Sequence, residues 1–199
     1  MIKPLLSTII LLLLAQFSNA QTDTVKKEFY NAEFKWKIVI PGGFDTVSAT
    51  QYSGLQKIGT EEMEKTADTK FENQIKRICA FKSDIFNYFE ANEQPLDTII
   101  DGNYLAHCKY SYNLIYDTYK RWVPNNATID TTSSKIIVDG LDFECFKVLI
   151  TMPNKMTINM LVYSKLFEKK EFTVVMVYVN KQKGEKLLAA WRDSKFKKD

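Results

Sequence analysis

The chain has 199 residues, 45% of them hydrophobic, with 27 Lys and Arg against 24 Asp and Glu and a single His. A net charge of +3 sets up no large field. This excludes partners recruited mainly by charge, such as nucleic acid or an anionic membrane surface.

Residues 1–20 read as a secretory signal peptide. Lys3 gives a positive start, Leu5 to Phe17 form an apolar stretch, and Ser18-Asn19-Ala20 place small residues at a cleavage site before Gln21. The apolar stretch is short of the ~20 residues that span a bilayer as a helix, and no Cys follows it for lipid attachment. Cleavage after Ala20 leaves 199 less 20, or 179 residues, with no stable membrane insertion expected. That length suits one domain, residues 21–199, with a well-buried core.

Gln21 to Lys27 is a polar lead-in. Glu33 to Ile40 alternates, with Phe34, Trp36, Ile38 and Ile40 on one face, and predicts a half-buried strand. Pro41-Gly42-Gly43-Phe44 then turns the chain. It lacks the Lys and hydroxyl of a phosphate loop and reads as a corner of the fold. Between Phe44 and Thr66, Tyr52, Leu55, Ile58 and Met63 predict one side of a helix, weakened by Gly54 and Gly59. Ile75 to Lys82 and Ile85 to Asn92 are predicted strands. A long helix, capped by Asp97 or Thr98, runs to Lys120 with Tyr104, Leu105, Cys108, Tyr112, Ile115, Tyr116 and Tyr119 along one stripe. Pro124 disfavours its continuation.

Four further strands follow: Ser133–Val138, a turn at Asp139-Gly140, Phe143–Met152, Thr157–Phe167 and Phe172–Val179. The last of these is nearly all apolar, which calls for cover on both faces. A closing helix from about Gly184 buries Leu187, Leu188 and Trp191. The expected fold is α+β: an α/β/α sandwich with a central, mainly antiparallel sheet covered by helices on both faces.

Five stretches carry a resemblance to a known family. They are W-K-I-V-I-P-G-G-F (Trp36–Phe44), V-D-G-L-D-F (Val138–Phe143), M-L-V-Y-S-K-L-F (Met160–Phe167), F-T-V-V-M-V-Y-V (Phe172–Val179) and K-L-L-A-A-W-R-D-S-K-F (Lys186–Phe196). In this order they resemble the PsbP-like fold, shared by extrinsic PsbP proteins of photosystem II, Mog-type Ran-binding factors and small exported bacterial proteins. The resemblance implies the sandwich and favours a binding or accessory module over an enzyme. It supplies no functional residue.

Chemistry-bearing patterns are sparse. His107 falls outside the helical stripe, nearer Ser111 and Thr118, and its neighbour Cys108 diverges from it by about 100° on a helix, a poor dyad. Cys79, Cys108 and Cys145 are 29 and 37 residues apart, too dispersed for a zinc motif, and read as core residues. Glu90, Glu93, Asp97 and Asp101 lack the spacing of a calcium loop. No nucleophile elbow, phosphate loop or dinucleotide fingerprint is present. Catalytic, cofactor and metal residues are therefore assigned to none. The weak partner-binding candidates are Tyr110, Tyr119, Arg121 and Trp122, aromatic residues beside a cation at the helix end. Trp122 can equally seal the core edge. The expected function is an exported, non-enzymatic accessory or binding module of the bacterial cell envelope, acting on another envelope protein or a small ligand. The alternatives are a small carboxylate-based hydrolase and a subunit of a larger envelope assembly.

Overall fold

A computed structural model describes residues 27–70 and 74–197. The expected signal peptide, most of the polar lead-in and Lys198 lie outside the described residues. The strands are β1 (Glu28–Asn31), β2 (Trp36–Val39), β3 (Asp45–Thr46), β4 (Lys76–Asp84), β5 (Asn87–Pro95), β6 (Thr128–Val138), β7 (Leu141–Thr151), β8 (Thr157–Phe167), β9 (Lys170–Tyr178) and β10 (Lys195–Phe196). The helices are α1 (Ala49–Ala67), α2 (Tyr104–Trp122) and α3 (Lys181–Arg192).

Seven strands form one antiparallel sheet in the order β3-β4-β5-β9-β8-β7-β6, and β1-β2-β10 form a smaller one. Hairpins join β4 to β5, β6 to β7, β7 to β8 and β8 to β9. Among the described residues β3 pairs β4 across α1, and the most distant pairing is β5 on β9, with Tyr88 opposite Val177 and Pro95 opposite Lys170. Each strand alternates its side chains between two faces, so the sheet carries two cores.

On one face Phe81, Phe89, Phe143, Tyr163, Phe172 and Met176 meet Trp36, Ile38 and Ile40 from the small sheet, Leu187 and Trp191 from α3, and Phe196 from β10. On the other, Cys108, Tyr112 and Ile115 of α2 pack on Phe146, Val148 and Ile150 of β7 and Val162 of β8. Tyr112 stacks on Phe146 with ring centroids 4.4 Å apart.

This arrangement corrects the expected helix-covered sandwich. Strands dominate, with ten against three helices among the described residues. One face of the large sheet is covered by a second sheet together with α3, not by a helical layer. The reason lies in β2. Its period-two face of Trp36 and Ile38 is fully buried, and a strand buries such a face by lying on another sheet. Three short strands escaped the sequence reading: β1, β3 and β10. Phe29 of β1 pairs opposite Ile38, and Phe196 of β10 pairs opposite Trp36.

Two helix starts also moved. α2 begins at Tyr104, because the Asn103 side chain accepts from the backbone N–H groups of Leu105 and Ala106. Asp97 caps a separate tight turn instead. The start of α3 is set by Asn180, which accepts from the Lys183 N–H. Of the α2 stripe, Leu105 is exposed. Of the α1 stripe, the side chains of Tyr52, Leu55 and Ile58 lie outside the described residues, and Met63 packs against the α2-side core.

The corner at Pro41 is structural. The Phe44 N–H donates to the Pro41 carbonyl at 3.1 Å, and Phe44 returns to the core against Phe81. Gly43 takes φ +86°, the left-handed region that glycine enters at no steric cost. The three cysteines are unbridged and buried; burial pushes the Cys79 thiol up to about 12.

Candidate functional site

At one end of the large sheet, β5 leaves the β9 ladder and leads into the 96–103 loop before α2. Its exit is held by the Leu96 N–H, which donates to the Lys169 carbonyl at 2.9 Å. The loop then folds on Asp97. The Asp97 N–H donates to Asp101 Oδ2 at 2.7 Å, and the Ile99 N–H donates to Asp97 Oδ1 at 3.0 Å. Ile100 and Asp101 both donate their N–H groups to the Asp97 carbonyl. Lys169 Nζ ties Asp97 Oδ2 to the β8–β9 turn at 2.7 Å and, with the Ile99 N–H, holds the carboxyl below its usual range.

With its polar groups engaged inside, this turn projects its two isoleucines outward. Ile99 is 87% exposed and Ile100 81%. Beside them opens a groove of about 500 Å³ lined by Gln74, Gln94, Leu96, Asp97, Asp101, His107 and Lys169. It adjoins a second hollow of about 310 Å³ lined by Lys76, Glu93 and Lys170, with Gln74, Gln94 and Pro95 shared between the two.

His107 points into the groove from the first turn of α2. Its Nε2 lies 3.3 Å from Glu171 Oε2. Gln94 Nε2 donates to the same carboxylate oxygen at 2.6 Å. The Glu171 side chain is 6% exposed and that of His107 25%, so the carboxylate is sealed under the imidazole. The bond to Glu171 raises the His107 pKa against the opposing effect of burial. Protonated, His107 places a cation at the groove wall.

On the opposite sheet face, Lys170 binds Glu33 and lowers its pKa. Burial raises the pKa of neighbouring Glu93, and Glu33 raises it further. Glu93 Oε2 is buried with no donor aimed at it. The raised pKa favours a protonated Glu93 beside an ionised Glu33 that is bound to Lys170.

No protein-family model matches this chain, and no curated protein matches it in sequence. Among solved structures, it is similar to cyanobacterial PsbP (CyanoP) from Synechocystis sp. PCC 6803, with a TM-score of 0.54 over 90% of this chain and 98% of that one. The fold is PsbP-like. A crystal structure from Bacteroides thetaiotaomicron VPI-5482 matches with a TM-score of 0.47 over 87% of this chain, which spans 49% of that one. Identity is 7% in both cases. At that level the PsbP-like likeness concerns the backbone, and the groove is argued from its own residues.

The PsbP-like frame separates the residues named from sequence. Tyr110 and Trp122 are exposed, at 56% and 59%, while Tyr119 packs into the α2-side core. Tyr110 and Tyr119 are nine residues apart, half a turn out of phase on a helix. Trp122 does not seal the core edge: its Nε1 donates to Glu62 Oε2 at 3.1 Å, and Arg121 donates to Thr66 Oγ1 at 3.2 Å, so both tie α2 to α1. His107 does sit at a rim, but with a partner 64 residues away in sequence. Cys108 turns inward, with its sulfur 3.8 Å from Ser164 Oγ. Ile99 and Ile100 were missed because a helix from Asp97 would have absorbed them. The signal was present in Gly102-Asn103, a turn residue followed by a strong cap.

Proposed function

We propose that this protein is a non-enzymatic accessory module exported to the bacterial envelope, and that the groove beside Ile99 and Ile100 holds a partner. The observation that carries this reading is the pair of adjacent isoleucines, 87% and 81% exposed, on the turn whose flanking residues Asp97 and Asp101 line an open groove. Singly exposed apolar residues are ordinary, but a fixed apolar turn next to a hollow matches the form of a docking site. Loops held by a rigid sheet are also where binding residues concentrate. The partner chemistry that fits is a protein segment with an apolar anchor for the isoleucines and hydrogen-bonding groups for Gln74, Gln94 and Asp101.

The test compares cross-linking of wild type and an Ile99→Asp/Ile100→Asp double variant in envelope extracts. Specific partner capture is expected to fall at least ~10-fold in the variant, with an unchanged melting temperature, since exposed positions contribute little to stability. Capture that survives there but is lost in Tyr110→Ala/Trp122→Ala moves the site to the α2 surface. That second reading rests on the exposure of Trp122 beside Arg121.

Export is supported by the charge and apolar pattern of residues 1–20. Mass spectrometry of the periplasmic or medium fraction should find a mature N-terminus at Gln21. Cytoplasmic protein that retains Met1 contradicts the reading.

A further inference from the structure

The large sheet ends very differently at its two edges. One edge is β3, only two residues long and so poor as a template. The other is β6, eleven residues from Thr128 to Val138. It pairs residue for residue with β7, without a bulge, from Thr128 opposite Thr151 to Val138 opposite Leu141. It contains no proline. Thr128 and every residue from Asp130 to Lys135 are exposed.

The turn decides which backbone groups face outward. Asp139 and Gly140 have φ values of 49° and 78°, the two positive angles of a type I′ hairpin. Val138 and Leu141 therefore form the hydrogen-bonded pair that closes it. Along an antiparallel ladder this role alternates. Even-numbered residues of β6 bond to β7, and the N–H and C=O groups of Ile129, Thr131, Ser133, Lys135 and Ile137 point away from the sheet. They have no backbone partner among the described residues.

These outward residues read Ile-Thr-Ser-Lys-Ile, nearly the same in both directions. An antiparallel pair of identical strands needs that property, because a two-fold axis sets residue i against residue j and j against i. Centred on Ser133, the register places Ile129 opposite Ile137, Thr131 opposite Lys135, and Ser133 opposite itself. No like charges oppose. Ile137, otherwise 71% exposed, gains an apolar cross-strand partner at each end of the ladder. A lysine in mid-edge commonly blocks such pairing. Here Lys135 Nζ is held 3.0 Å from Glu144 Oε1 on β7, which offsets its charge.

We propose that β6 is a self-association edge, through which two copies join antiparallel about Ser133 into one continuous sheet. About ten backbone hydrogen bonds would form, two for each outward pair. The contact is narrow, so the expected dissociation constant is on the order of 10–100 μM.

Sedimentation equilibrium of the secreted chain from ~1 μM to ~1 mM tests this. The expected result is a monomer–dimer equilibrium, weakened at least ~10-fold by Ser133→Pro. That variant removes only an outward N–H, so its melting temperature should match wild type. Ile137→Lys provides a second variant with no backbone change, and should also weaken the dimer. Amide exchange should slow with concentration at residues 129, 131, 133, 135 and 137, and not at their even-numbered neighbours. A chain that stays monomeric at ~1 mM, a dimer indifferent to both substitutions, or concentration-dependent protection on another element overturns the proposal. So does an edge that ignores its own copy and takes up an extended peptide of a different protein.

Discussion

Replacing Trp191 by alanine is expected to lower the stability of this protein by about 3–5 kcal/mol. Trp191 is fully buried, in the layer between the large sheet and the small one. Its ring centroid lies 5.1 Å from that of Phe143, 5.5 Å from Tyr163, 6.3 Å from Trp36 and Phe196, and 6.4 Å from Phe172. These partners come from β7, β8, β2, β10 and β9, so one ring joins both sheets to α3. Its indole N–H and that of Trp36 are buried without an acceptor; packing, not hydrogen bonding, holds them. Truncation removes the apolar area and leaves a cavity whose rigid aromatic walls cannot collapse into it. A loss of this size is a large part of the 5–15 kcal/mol typical of a native domain. Urea titration followed by circular dichroism measures it, with Trp191→Phe as a milder control costing about 1–2 kcal/mol. A midpoint unchanged in Trp191→Ala would show that the two layers do not depend on this residue.

The second large effect depends on pH. Glu90 lies on β5, opposite Ala80 of β4 and Val175 of β9, on the sheet face that bears α2. Burial pushes its carboxyl up to about 7 from an ordinary value of 4.5, although Asn92 Nδ2 donates to its Oε1 at 3.0 Å and Arg77 attracts it. A raised acid pKa means that the folded state prefers the protonated form. The stability that Glu90 contributes is therefore greatest below pH 4.5, declines as pH rises toward 7, and stays low above it. Glu90→Gln keeps an acceptor for Asn92 and has no charge to bury. It is expected to gain about 2 kcal/mol over wild type at pH 8 and almost nothing at pH 4. Urea midpoints at the two pH values provide the comparison. An equal gain at both would mean that burial of charge is not the cause.

The closing helix already marked Trp191 in the sequence, but the surroundings of Glu90 could not be found by inspecting its neighbours there. Glu90 was grouped with Glu93, Asp97 and Asp101 as a loose acidic run. On a strand, Glu90 and Glu93 are three apart and face opposite sides of the sheet, and Asp97 has already left it. His107 looked solitary because its partner Glu171 enters through β9, which the sequence cannot align with β5. Around the β8–β9 turn, Lys169 holds Asp97 and Lys170 holds Glu33, pairings between residues far apart in the sequence.

The sequence by itself determined the local elements of this protein. Period-two alternation marked β2, apolar runs between turn signals such as Asp139-Gly140 marked the β6–β9 meander, and the 3.6-residue stripe marked α2; these signals reside in neighbouring residues. It also contained the reason for two cores, since β9 is apolar on both faces. Only the tertiary structure decided what covers those faces: α2 on one, and a second sheet with α3 on the other. Cover is chosen by the shape of the whole apolar surface, and short strands such as β1 and β10 become strands only when β2 is there to pair with them. The groove, the Glu171–His107 contact and the outward register of β6 share that origin, since each depends on pairings between distant residues.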